Sequence, residues 1–452
     1  MFVIMFLLLV GYFPLFSETR SSDEGIYRML DNGLSYFIQE RDNIPMVNIV
    51  FIFDAGSKDE EENTNGIIHI LEHLLYLSAT NSHTTDELTR EMRSRGGAFN
   101  AHTNNDYITF ELSLPSPNWE FGLRFLKEKL FNIKFSAEQL EKEKKVIFEE
   151  MPQHQDNPNL FGLHTVLQNL FKDHPYSRPI TGKRDIIEKI TIEEIGNFYS
   201  RHVIPSNGSL TVVGDIKGET VDKSVQNLFG NLEKKVIPKT SFSMVPPLKS
   251  NIRIEKKMDV PQGHLIFGFL APPSEHPDQV SFDVLNQVLS KGPAPLLRSA
   301  LNLRGQPLLH GLTTYYIPLQ YGGAYIIHTT LEPKSIKTVE RELIKFLFGA
   351  WNFPFSIDNY NPSEHVEAMD YLKNAIGNIQ FYYEESQELG MNSALSYAKY
   401  LLYHKETRDE SKIVPYMTRV EKVSSSDLKE MITRYFSGKK YITILILPTE
   451  KK

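Results

Sequence analysis

The chain has 452 residues, enough for two or three domains with sizeable cores. Its 41% hydrophobic and 23% charged content is that of an ordinary globular protein and excludes a disordered or fibrous class. A formal charge of −7 and a pI near 6.1 leave no basic footprint, so no nucleic-acid partner is expected, and the lack of cysteine excludes a disulfide framework and a lipoprotein anchor.

Residues 1–17, MFVIMFLLLVGYFPLFS, are apolar throughout, interrupted by Gly11 and Pro14, and stop at Glu18-Thr19-Arg20. The run is short for a bilayer span and reads as a signal peptide, so the protein is expected to be exported, periplasmic or secreted. With no Lys or Arg ahead of the apolar run, the alternative is a membrane-proximal anchor.

The next elements are a hairpin, Tyr27 to Leu30 and Leu34 to Gln39 around Asp31-Asn32-Gly33, and the apolar strand Met46 to Phe53. An acidic loop leads to the apolar stretch Gly66 to Tyr76, which predicts a helix. A helix opened by a Thr84/Glu87 capping box follows, then Gly96-Gly97 and a strand from Tyr107 to Leu114. Helices are predicted over Trp119 to Leu130, Ser136 to Met151 (capping box Ser136/Gln139), Leu160 to Asn169 and Thr191 to Arg201, and the half closes on the strand Ser209 to Val213.

The chemistry concentrates in His69-Ile70-Leu71-Glu72-His73. At helical spacing His69, Glu72 and His73 leave the same side, and burying them without partners would be costly. A divalent metal taking two imidazole lone pairs removes that cost, and H-x-x-E-H is the inverse of the zinc-helix pattern H-E-x-x-H. A lone core histidine is the plainer explanation of either imidazole; the carboxylate in the same apolar helix is what it leaves unexplained. A third protein ligand is expected in the Ser136 helix, where Glu143 and Glu150 lie seven apart on one face and Glu149 points elsewhere.

HILEH, 76 further residues and then Glu150, with Glu143 seven positions earlier, resembles the insulinase/pitrilysin family of zinc metallopeptidases, which includes the mitochondrial processing peptidases. Gly96-Gly97-Ala98-Phe99-Asn100-Ala101-His102-Thr103 resembles its G-G-x-x-N-A-x-T segment. His174-Pro175-Tyr176 with Gly182, and Pro205-Ser206-Asn207 leading to Val212-Val213-Gly214-Asp215, resemble later family features. The resemblance implies one Zn2+ per chain on His69, His73 and Glu150, with Glu72 as general base and Glu143 orienting a ligand or balancing charge. It further implies that Asn100 and Ala101 hold the substrate backbone.

Residues 231–251 read as a linker, and the chain beyond them repeats the first half. The strand Gln262 to Pro272 answers the Met46 strand, Phe282 to Leu289 answers the HILEH helix, and Ser426 to Phe436 with Tyr441 to Leu447 answers the Thr191 helix and its strand. The repeat has no HILEH equivalent, and His264, His276, His310 and His328 read as surface or structural. Trp119 and Trp351 read as core or interface residues. The expected fold is α+β: two homologous α/β sandwich domains, 18–230 carrying the metal and 252–452 metal-free, related by a pseudo-two-fold as half of a clamshell.

The expected activity is zinc-dependent endopeptidase action on peptides or unfolded segments in a chamber between domains, the alternative being a non-catalytic or partner-dependent subunit of a heterodimer. A metal carrier would not need Glu72. Family members complete the site with an Arg and a Tyr from the opposing domain, but neither Arg298 nor Arg304 has a Tyr at that distance, and Tyr315 and Tyr316 come too late. A homodimer, or a heterodimer with an Arg/Tyr-bearing relative, is therefore expected.

Overall fold

The computed structural model describes residues 25–235, 240–291, 295–303, 306–348, 371–388, 390–404 and 416–449; residues 1–17, Arg304 and Trp351 lie outside them. The first unit runs β1 (Ile26–Met29), β2 (Ser35–Glu40), β3 (Met46–Phe53), α1 (Ile67–Leu77), α2 (Thr85–Ser94), β4 (Ala98–Thr103), β5 (Ile108–Pro115), α3 (Trp119–Phe131), α4 (Ala137–Asp156), α5 (Pro158–Leu170), α6 (Arg184–Ile187), α7 (Ile192–His202), β6 (Gly208–Gly214) and α8 (Gly218–Phe229). The second unit runs β7 (Ile252–Met258), β8 (Gly263–Ala271), α9 (Gln279–Ser290), α10 (Leu296–Ala300), the short pair β9 (Asn302–Leu303) and β10 (Gln306–Pro307), β11 (Gly311–Leu319), β12 (Gly322–Leu331), α11 (Ile336–Phe348), α12 (Tyr371–Glu388), α13 (Met391–His404), α14 (Tyr416–Glu421), α15 (Ser425–Tyr435) and β13 (Ile442–Pro448).

The first sheet has the order β1-β2-β6-β3-β5-β4 and the second β11-β12-β8-β13-β7. The run β2-β6-β3-β5-β4 matches β7-β13-β8-β12-β11 strand for strand. In both, the pair at one end (β2 with β6, β13 with β7) is parallel and the other pairings are antiparallel. The helices repeat as well, α1 answering α9 and α7 answering α15, so the fold is the α+β pair expected, with two mixed sheets and helices.

The period-2 geometry of the strands explains why β3 is apolar at nearly every position. Val47, Ile49, Phe51 and Phe53 face the unit's own helices, in one core with Ile67, Ile70, Leu71 and Leu74 of α1. Val50 and Ile52 face the other way and pack on Ala394, Tyr397, Ala398 and Leu402 of α13, a helix of the second unit. The exchange is reciprocal: Leu163, Val166 and Leu170 of α5 cover Ile266, Ile326, Ile442 and Ile444 of the second sheet. Each unit thus lends one helix to its partner's open sheet face, which would otherwise leave a row of large aliphatics in water at about 1.5–3 kcal/mol each.

The approach of α5 is close. A Cβ on Gly162 would sit 2.1 Å from Ile266 Cδ1, and one on Gly268 of β8 would sit 2.3 Å from Val166 Cγ1. Between the units, residues 240–250 carry no helix or strand, and the Val245 N–H donates to the Tyr321 carbonyl at 2.8 Å. Among the described residues no helix is long and apolar enough to cross a membrane.

One expectation is corrected. The Ser136/Gln139 box is only half formed: Gln139 N–H donates to Ser136 Oγ at 3.1 Å, but the Gln139 amide turns to Glu143 Oε1 at 2.5 Å, where a buried carboxylate is the stronger acceptor. His264 and His328 are structural, one of the two roles the sequence suggested. Strand pairing brings them together in the buried face under α5, with His264 Nδ1 2.9 Å from His328 Nε2.

Candidate metal centre

Three side chains converge between α1 and α4. His69 and His73 stand one helical turn apart with ring centroids 4.8 Å apart and planes at 85°. Glu150 Oε2 lies 3.8 Å from His69 Nε2 and 3.9 Å from His73 Nε2. Among the described residues this is the one group of three or more such side chains whose donor atoms lie within 4.8 Å of each other. Two imidazole nitrogens and one carboxylate oxygen, with a side left for water, are the donor set of a hydrolytic zinc site. A tetrahedral ion at about 2.1 Å from each donor needs donors roughly 3.4 Å apart; the two imidazole–carboxylate distances, 3.8 and 3.9 Å, are close to that and the whole set lies within 4.8 Å, so the residues fit zinc after side-chain closure.

The surroundings orient these groups. His73 Nδ1 is 3.2 Å from Glu143 Oε2, which accepts a hydrogen bond from Nδ1–H and leaves the Nε2 lone pair facing Glu150. Burial opposes charge on His73, but the Glu143 hydrogen bond and the charges of Glu72, Glu150 and Glu143 outweigh it and raise its pKa above the ordinary value. Burial and the like charges of Glu72 and Glu143 raise the Glu150 carboxyl, against the pull of His73. A divalent cation among these groups would relieve the crowded negative charge. Glu72 is half-buried on the same helix beside His73, and Glu149 is exposed.

Neighbouring segments pin α1. Its first residue follows Gly66 at φ +101°, packed backbone to backbone on Gly182 at φ +75°; a Cβ on Gly66 would lie 2.9 Å from Gly182 Cα. Thus the segment from His174 to Gly182 buttresses the start of the metal helix. Asn65 Nδ2 donates to the Pro179 carbonyl at 3.0 Å, and Arg178 donates to the carbonyl of Glu60. Glu60, 4% exposed and raised by burial to about 7, accepts from Ile68 N at 3.1 Å and Asn65 Nδ2 at 2.7 Å. At the other end Lys129, 1% exposed and lowered by burial to about 8, donates to the carbonyls of Tyr76 at 3.1 Å and Ser78 at 2.9 Å.

Asn100 and Ala101 lie on β4, the strand at the edge of the first sheet beside α1. Ala101 N–H donates to Asn100 Oδ1 at 3.0 Å, and Asn100 Nδ2 is 3.0 Å from His102 Nε2. Tyr76, one turn past His73, stacks on Phe99 of β4 with centroids 5.0 Å apart and donates from its hydroxyl to the Phe99 carbonyl at 3.2 Å. Arg298 is exposed on α10, and the Tyr316 hydroxyl donates to the Pro272 carbonyl at 2.9 Å. Of the anchoring residues, Lys129 leaves a trace in the sequence: it lies on the apolar stripe of its helix, three residues from Leu126 and four from Phe125. Glu60 leaves none, being one acid in an acidic loop.

The fold and this donor set define a two-unit scaffold with, among the described residues, one set of side chains fit to hold a hydrolytic metal. Residues 36–184 match Insulinase (peptidase family M16) and residues 189–352 match the peptidase M16 inactive domain, together well over half the chain, and the protein belongs to that family. An uncharacterized zinc protease of Rickettsia felis is 29% identical over 54% of this chain and 58% of its own length. A probable mitochondrial-processing peptidase subunit beta of Arabidopsis thaliana is 27% identical over 60% of this chain and 51% of its own length. The chain thus spans little more than half the length of those curated relatives. A protease from Helicobacter pylori of known crystal structure shares the fold, with TM-score 0.80 and 20% identity over 97% of this chain and 100% of its own.

Proposed function

We propose that this chain is a zinc endopeptidase that hydrolyses peptides or unfolded polypeptide segments, with one Zn2+ held by His69, His73 and Glu150. The observation that carries the reading is the convergence of those three donor atoms beside Glu72, on a helix packed against an edge strand. Held by these three residues, zinc would supply a bound water of lowered pKa and polarisation of a peptide carbonyl. Glu72 takes the proton of the attacking water and returns it to the leaving amine. Glu143 holds His73 in the tautomer that presents Nε2. The free edge of β4 receives the substrate as an added strand, with Asn100 and Ala101 against its backbone. We read 18–230 as the metal-binding domain, 231–251 as linker and 252–452 as the metal-free domain. Residues 1–17 support export as a signal peptide.

A partner-dependent form of this activity is the second reading. It is favoured by Tyr316, whose hydroxyl is already committed to Pro272, and by the relative named as a processing-peptidase subunit. A heterodimer with an Arg/Tyr-bearing relative would supply the missing groups; a homodimer is the alternative assembly. The test is zinc content and hydrolysis of a quenched peptide library by the chain lacking residues 1–17, beside Glu72→Gln. Zinc near one per chain, with activity that falls on the order of 10³-fold in Glu72→Gln while zinc stays bound, is the expected result. Zinc without activity selects the partner-dependent reading, and no zinc at all rejects both.

A further inference from the structure

The metal helix α1 supplies two of the three donors, and α4 supplies the third. What holds one helix in register against the other decides whether the donors meet. The contacts of Ile67, Ile70, Leu71 and Leu74 with the core are apolar and non-directional, so they resist separation of α1 from its neighbours better than sliding along its axis. Directional contacts sit at the helix ends, where backbone N–H and C=O groups lack helical partners. The N-cap is Gly66, which has no side chain to offer, and neither end carries a charged residue of its own in the terminal turn.

Both ends are instead met by buried charged side chains brought from elsewhere. Glu60 accepts from Ile68 N, one residue before His69, and from Asn65 Nδ2. Lys129 of α3 donates to the carbonyls of Tyr76 and Ser78. The acid is at the N-terminus and the base at the C-terminus, the arrangement the helix dipole favours. Lys129 makes no ion pair among the described residues, and an apolar side chain of the same length would avoid the desolvation of an ammonium. A buried ammonium at this position therefore points to a role other than bulk stability. Tyr76, whose carbonyl it holds, is also the residue that stacks on Phe99 of the edge strand.

We propose that Glu60 and Lys129 are positioning residues that clamp the metal helix at its two ends, setting His69 and His73 at the height of Glu150 and tying β4 to the same frame. The inference rests on the zinc reading. It is tested on the purified full chain by zinc affinity in competition with a chromophoric chelator, together with thermal melting, for wild type, Lys129→Met and Glu60→Gln. Phe282→Leu, in the core of the second unit, serves as a control for general destabilisation.

Zinc binding weakened about tenfold or more in both variants, with cooperative melting kept and the control unchanged in affinity, is the expected result. Variants that bind zinc as tightly as wild type, or a control that loses zinc equally, overturn the inference and leave the zinc reading intact. A wild type that binds no zinc overturns the zinc reading and this inference with it. Should Lys129→Met or Glu60→Gln fail to fold, Glu60→Asp keeps the charge on an arm one methylene shorter. It must still weaken zinc by about threefold, or the clamp is rejected.

Discussion

Glu143 shows how one side chain converts position into chemistry. It is 3% exposed, seven residues before Glu150, and divides its two oxygens between His73 Nδ1 and the Gln139 amide. Glu143→Gln keeps a polar partner for His73 but removes the charge that favours the Nδ1 proton. Zinc affinity is expected to fall about tenfold, read by chelator competition, with the chain still folded. An unchanged affinity would mean that His73 is oriented by helix packing alone. Zinc binding and folding are linked at the same residues. Zinc at 100 times its dissociation constant is expected to raise unfolding free energy by about 2.7 kcal/mol, and chelator removes that gain. A melting temperature indifferent to zinc and chelator would reject the centre.

At the scale of elements, the joint between α5 and the second sheet is tight and partly titratable. His264 and His328 share one hydrogen bond on that face, and burial, then the neighbouring His264, pushes the His328 pKa down to about 4 from its ordinary 6.5. The native state therefore binds fewer protons than the unfolded chain between these values. Its stability is complete above pH 6.5 and is lost as the pH falls toward 4, by about 3 kcal/mol from this group. Urea titrations at pH 7 and pH 4.5 should show the loss, and His328→Gln, which hydrogen-bonds without titrating, should shrink it. An equal loss in the variant would move the cause elsewhere. On the same face, Gly268→Ala would press a methyl group into Val166, at a cost of about 1–3 kcal/mol in the same titration.

For the whole molecule, the exchanged helices α5 and α13 make each unit part of the other's core, and a polar contact closes the joint. Asp106, in the turn between β4 and β5, is 2% exposed and accepts from the Tyr176 hydroxyl and from Gln320 N, the latter at 2.9 Å. Gln320 belongs to the turn between β11 and β12, so the carboxylate binds corresponding hairpins of the two units to each other. Asp106→Ala would leave a half-buried N–H and a buried hydroxyl without their acceptor, worth about 3 kcal/mol. Calorimetry is expected to show one melting transition for the wild type and two for the variant, as the units uncouple. One sharp transition in the variant would show that the exchanged helices suffice.

Much of this was legible in the chain itself. The period of four between His69 and His73, the capping box at Thr84, and the apolar run of β3 are local patterns, set by helix and strand geometry over a few residues. The duplicated element order could be read for the same reason. Glu150 could be singled out as the third donor through the resemblance to the family, since helix spacing alone puts Glu143 and Glu150 on the same face. Tertiary structure alone decided that α5 and α13 cross to the opposite sheet, that His264 meets His328 across two strands, and that Glu60 and Lys129 close the ends of α1. Those contacts join residues far apart in sequence. Their partners are mostly backbone groups, which every residue carries, so side-chain order held no mark of them until packing chose which carbonyls and amides each buried charge would meet.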